Sequence, residues 1–135
     1  MTQSDIGLRR GPLLAMRILS AIVLFAIGGI HLFLVFDGVG GLLGVLFILN
    51  AIAGIVLGIG MLALRGRLFT LVSVLGLLFA IASLVALLLA LSVGLFGITE
   101  TWTFTLVPQT VVVDAIGVVL LGITLIALLR RGRAV

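Results

Sequence analysis

Three polar side chains of chemically capable types interrupt otherwise apolar stretches of this sequence: His31, Asn50 and Asp114. An imidazole beside a carboxylate makes a pair that can relay a proton, and a nearby amide can close the floor of a pocket. The same three groups also suit a purely structural role, a hydrogen-bonded staple between the first and fourth helices with Asn50 as interhelical glue. A third outcome is three separate contacts. Zinc hydrolysis needs three protein ligands, and His31, Asp114 and Glu100 would have to supply them, at a spacing that matches no metal motif. One histidine permits a bis-histidine haem only across a dimer. The absence of cysteine removes disulfides, thiol catalysis, Cys-ligated zinc and iron–sulfur clusters together. No nucleophile triad order, phosphate loop or dinucleotide fingerprint is present. No cofactor is expected, and nothing in the pattern favours an enzyme.

The elements that must position these residues are legible from composition. Of 135 residues, 64% are hydrophobic and 9% charged, against roughly 25% charged in a soluble domain. So few ionisable groups cannot cover a water-facing surface, which excludes a soluble fold. Disordered segments are poor in apolar residues, so disorder is excluded too. A membrane helix needs about 20 mostly apolar residues, and four runs qualify: 14–36, 41–64, 68–96 and 107–129. The third exceeds a perpendicular crossing, so it should tilt or emerge, with Gly94 and Gly97 marking its end. Pro108 suits the first turn of the fourth helix, where its missing N–H costs nothing. The first run is too long for a signal peptide and no small-x-small cleavage site closes it, so it reads as a retained anchor.

All eight basic residues are arginines. Arg9, Arg10 and Arg17 precede or open the first run, Arg65 and Arg67 lie between the second and third, and Arg130, Arg131 and Arg133 follow the fourth. The other two connections hold only Asp37 and Glu100. Cationic loops stay cytoplasmic, so both termini are expected inside and the acidic loops outside. The arginines flank apolar runs and form no basic face, so the lipid bilayer is the expected partner and nucleic acid is not. At about 1.5 Å per residue from the outer ends, His31 lies roughly 8 Å deep, Asp114 roughly 10 Å and Asn50 roughly 14 Å. Asp5 lies in the N-terminal tail. Strand alternation is absent, which excludes a membrane barrel.

Lipid-embedded helices associate through close backbone approach and hydrogen bonds. The second helix carries small residues at spacing four, Asn50, Gly54 and Gly58, with Gly40 and Gly44 on an adjacent row. Gly54 and Gly58 serve either packing inside one chain or a homodimer seam. Very short connections force sequential antiparallel neighbours. The expectation is a single all-α domain over residues 1–135, an integral membrane four-helix up-down-up-down bundle. In the loop over 97–104, Trp102 together with Phe96 and Phe104 reads as an interfacial aromatic belt. The sharper alternative is a lid, with Glu100 and Trp102 covering the polar pocket.

Two patches, Gly29-Ile30-His31-Leu32 followed by Leu46-Phe47-Ile48-Leu49-Asn50, and Gly94-Leu95-Phe96-Gly97-Ile98-Thr99-Glu100, carry a resemblance over most of the chain. The sequence resembles an uncharacterised family of small four-span prokaryotic membrane proteins. That resemblance implies the four-helix topology and no assigned activity. Small multidrug exporters depend on a carboxylate deep in their first helix, and 14–36 holds none. Fluoride channels have a phenylalanine-rich break in the third helix that the continuous Leu/Ala run over 77–91 does not match.

The resulting expectation is a prokaryotic cytoplasmic-membrane protein, multi-pass, acting as a non-enzymatic accessory, assembly or scaffold subunit through helix contacts. It would work as a homodimer or within a larger membrane complex. The alternative is a small-molecule or ion transporter or binder that uses an outward-facing pocket of His31, Asn50 and Asp114.

Overall fold

The computed structural model describes residues 3–133, with side chains from residue 11 onward. The Arg9 and Arg10 side chains lie outside the described residues. Among the described residues, four helices account for most of the chain: α1 (Gln3–Phe36), α2 (Gly41–Ala63), α3 (Gly66–Ser92) and α4 (Val107–Arg133). The segments Gly11–Phe36, Gly41–Ala63, Gly66–Ser92 and Val107–Arg133 are each long and apolar enough to cross a membrane. Large apolar side chains are exposed on every helix, among them Ile22, Phe33, Val56, Leu78 and Val119.

Two boundaries depart from the apolar runs. Helix α1 starts at Gln3, well ahead of residue 14, and continues through Pro12. Helix α3 stops at Ser92 although apolar residues continue to Phe96. The reason is Gly94, whose φ of +86° turns the backbone left-handed while its N–H bonds back to the Leu89 carbonyl, the usual way a glycine ends a helix. Pro108 is the second residue of α4, within its first turn.

Small residues set how closely the helices approach. A Cβ built on Gly54 would lie 2.8 Å from the Leu24 carbonyl oxygen and 2.9 Å from the Gly28 backbone, so α1 and α2 touch main chain to main chain there. Gly58 receives the Phe25 ring in the same interface. Helix α4 meets α1 where Val23 and Ile27 fill the space over Gly117, and meets α3 where Leu121 covers Gly76. Val72 of α3 packs over Gly60 of α2. Leu24, Ile27, Met61 and Leu121 are fully buried at the centre. In the α1–α2 pair the contacts run in opposite senses along the chain, Arg17 to Met61, Phe25 to Gly58 and His31 to Phe47.

Polar groups in the basic half bond to backbone or to one another. Ser20 and Thr124 join α1 to α4 at 3.1 Å, Thr124 also donates to the Leu120 carbonyl and Ser73 to that of Phe69. Arg17 closes the C-terminus of α2, donating from Nε to the Met61 carbonyl and from Nη2 to those of Leu62 and Leu64. Its guanidinium also stacks 4.6 Å from the Phe69 ring centre. A cation at a helix C-terminus satisfies orphan carbonyls and opposes the negative end of the helix dipole.

Two substitutions test this account. Gly54→Ala should lower stability by about 1–3 kcal/mol, as overpacking does, whereas Gly29→Ala, with open space around it, should be neutral or mildly stabilising. Arg17→Met should cost about 2 kcal/mol through the lost charged hydrogen bonds. Thermal or denaturant unfolding in detergent reads both.

Candidate functional site

At the end of the molecule away from Arg17, the four helices and the α3–α4 connection leave a partly enclosed cavity of about 120 Å³. That is comparable to the roughly 150 Å³ of engineered cavities that take a benzene-sized guest. Its walls are mostly apolar, Leu34, Phe47 and Leu87 among them, and His31, Asn50, Ser83 and Glu100 supply polar groups. Among the described residues no arginine lines it.

Each polar side chain has a distinct setting. The buried His31 ring donates from Nδ1 to the Ile27 carbonyl of its own helix at 2.8 Å. In the neutral ring that leaves Nε2 as an acceptor. Phe47 of α2 meets the ring edge-on, with centroids 4.9 Å apart. Asn50 reaches from α2 to α3, where its Nδ2 donates to the Ser83 hydroxyl at 3.3 Å, while its Oδ1 is buried without a partner. Asn50 therefore does act between helices, through a serine the sequence reading did not single out.

Asp114 is 0% exposed and does not line the cavity. It lies one helical turn from Thr110, which does line it, and beside Ser83. Neither of its carboxylate oxygens has a partner with hydrogen-bond geometry. The expected pairing of Asp114 with His31 is therefore not formed: His31 turns to its own helix and Asp114 stands behind Ser83. A bare carboxylate buried in this way costs several kcal/mol unless a proton or cation shares it. Among the described residues no three His, Cys, Asp or Glu side chains are grouped to hold a metal ion, so His31, Asp114 and Glu100 do not form a ligand set.

The connection after α3 closes the cavity mouth. Leu95 and Ile98 exchange both backbone hydrogen bonds around Phe96 and Gly97, whose φ values are +51° and +78°. Positive φ at both central residues is the geometry of the tight hairpin turn, which glycine adopts freely and phenylalanine at a cost. Leu95 and Ile98 thereby face the cavity, and the Glu100 N–H bonds to the Ala90 carbonyl, bringing the Glu100 side chain to the mouth. Partial burial pushes the Glu100 carboxyl above the ordinary carboxylate range. Trp102 is 56% exposed and outside the lining. The aromatic at the mouth is Phe104, so Glu100 lines the cavity together with Phe104, and Trp102 of the expected lid does not. Asp37, from the α1–α2 connection, shares an adjoining outer groove with Glu100.

Ser83 and Thr110 are the residues sequence reasoning passed over. Ser83 was detectable in principle: α2 and α3 are joined by a very short turn, so residues at matching distances from it must meet, and Ser83 sits near the level of Asn50. Thr110 gave less signal, since its hydroxyl donates to the Leu106 carbonyl of its own helix start. No protein-family model, curated protein sequence or solved structure matches this chain.

A carboxylate buried beside the Ser83 hydroxyl without full hydrogen-bond geometry makes a definite prediction. Asp114→Leu should hold or raise thermal stability at neutral pH, by up to about 1–3 kcal/mol, the penalty of an unsatisfied buried polar group. A marked loss of stability in detergent would instead expose a partner holding the carboxylate.

Proposed function

We propose that this chain spans a prokaryotic cytoplasmic membrane four times, up-down-up-down, with both termini cytoplasmic, and binds a small, mostly apolar molecule in the outer half. The ligand carries a hydrogen-bond donor, and an amine suits best. The arginine distribution supports the orientation, because basic connections resist translocation. The apolar outer faces of the helices support insertion.

The observation that carries the binding reading is the cavity itself. Its walls are mostly apolar, and its acceptors are the Asn50 Oδ1, the Glu100 carboxylate and the His31 ring nitrogen not bonded to Ile27, with no arginine among the described lining residues to neutralise them. A donor or cation placed there meets unfilled acceptors, and an anion meets repulsion from Glu100 and Asp37. The scaffold reading draws on ridges of small residues. On α1 and α2 those ridges are taken up within the chain, Gly54 against Gly28 and Gly58 against Phe25.

Benzylamine is a suitable probe, with benzoate as its charge-reversed counterpart. Calorimetry in detergent should show benzylamine binding, no benzoate binding, and loss of the signal in Asn50→Leu. Binding should weaken as pH falls, because Glu100 takes up a proton above the ordinary carboxylate range while the amine stays cationic. Glu100→Gln should flatten that part of the profile, which separates Glu100 from His31 and Asp37. Equal binding of benzylamine by wild type and Asn50→Leu would refute the proposal.

A further inference from the structure

The end of the molecule opposite the cavity holds a second concavity, between the start of α1, the α2–α3 turn and the end of α4. Three guanidinium side chains from these three separate elements line it: Arg17, Arg65 and Arg131. Among the described residues that line it, none is acidic. Leu14, Phe69 and Leu128 make the apolar flank beneath them.

Arg17 is held in place here by the α2 carbonyls and by Phe69. Those bonds use Nε and Nη2, so the two N–H groups on Nη1 take no part in them. The cap thus fixes a cation at the crevice wall without spending all its donors. Helix α3 begins at Gly66, which also lines the crevice, and its N-cap residue Arg65 makes no side-chain cap bond. The positive end of that helix dipole adds to the same field. Three cations over an apolar flank match a molecule that carries a negative phosphate at one end and hydrocarbon at the other. Arginine forks suit phosphate oxygens, and basic pockets between membrane helices on the cytoplasmic side hold anionic headgroups in this way.

We propose that the crevice formed by Arg17, Arg65 and Arg131 binds the phosphate of an anionic phospholipid, with an acyl chain lying along Leu14, Phe69 and Leu128. This requires the chain to sit in a bilayer and is independent of whether the opposite cavity binds anything. Free phosphate would use the arginines and leave the apolar flank unfilled.

The test uses the full chain in a neutral detergent, with lipid adducts read by native mass spectrometry and thermal stability read alongside. Dioleoyl phosphatidylglycerol should give a one-to-one adduct and raise the melting temperature, while dioleoyl phosphatidylcholine and millimolar inorganic phosphate should do neither. Arg65→Gln and Arg131→Gln, both at exposed positions, should each weaken phosphatidylglycerol binding by roughly fivefold, and together by about thirtyfold. Arg67→Gln, outside the crevice lining, should change it by less than about twofold. Stabilisation by inorganic phosphate equal to that by phosphatidylglycerol would assign the site to a free anion and overturn the lipid proposal. Equal losses in Arg67→Gln and Arg65→Gln would do the same, since they would show diffuse charge and no built site.

Discussion

The main-chain contact of Gly28 with Gly54 fixes the register of α1 against α2, and much else follows from that register. With those two residues level, Phe25 falls on Gly58 and Arg17 reaches the last carbonyls of α2. In the other direction His31 falls on Phe47, and α2 presents Asn50 toward Ser83. Both concavities are therefore products of one close approach. A side chain at either glycine would separate the helices where the backbones are nearest, and the two ends would lose their alignment together.

The connection between α3 and α4 is built differently. Its shape comes from local backbone conformations, Gly94 ending α3, a two-residue turn at Phe96 and Gly97, and Leu106 at φ +63° just before α4. A phenylalanine and a leucine in left-handed conformations each carry a strain of order 1–3 kcal/mol. The surrounding hydrogen bonds, Leu95 with Ile98 and Thr110 with Leu106, hold them there. Such strain gathers at a segment whose position matters, and this one seats Glu100 and Phe104 over the cavity.

Helix content was legible because it depends on composition and run length, which the sequence carries directly. The end of α3 was readable only through Gly94, since the apolar pattern runs on past the true stop. The extension of α1 through Pro12 went against the local signal altogether. At the candidate site, His31, Asn50 and Glu100 were identifiable as polar groups in costly places, and all three line the cavity. Their partners were not. Depth along a helix follows from counting, whereas the rotation of a helix about its axis depends on how neighbouring side chains interlock. That rotation turns His31 onto Ile27 and places Asp114 behind Ser83. For the same reason the cavity wall takes Phe104 and not Trp102, two residues apart in one loop.

Arg17 treats the two ends of α2 unequally. At one end the terminal carbonyls of α2 are tied to α1 through a single guanidinium. At the other, Gly40 offers no side-chain cap and the chain enters α2 through glycines with positive φ at Gly38 and Gly41. The pair is nonetheless tied at both tips, by a side chain at one and at the other by the short connection itself, whose N–H groups bond back to the α1 carbonyls of Phe33, Leu34 and Val35. Two rods bridged at both ends act as one lever, so α1 and α2 form a single wall against which α3 and α4 close the cavity.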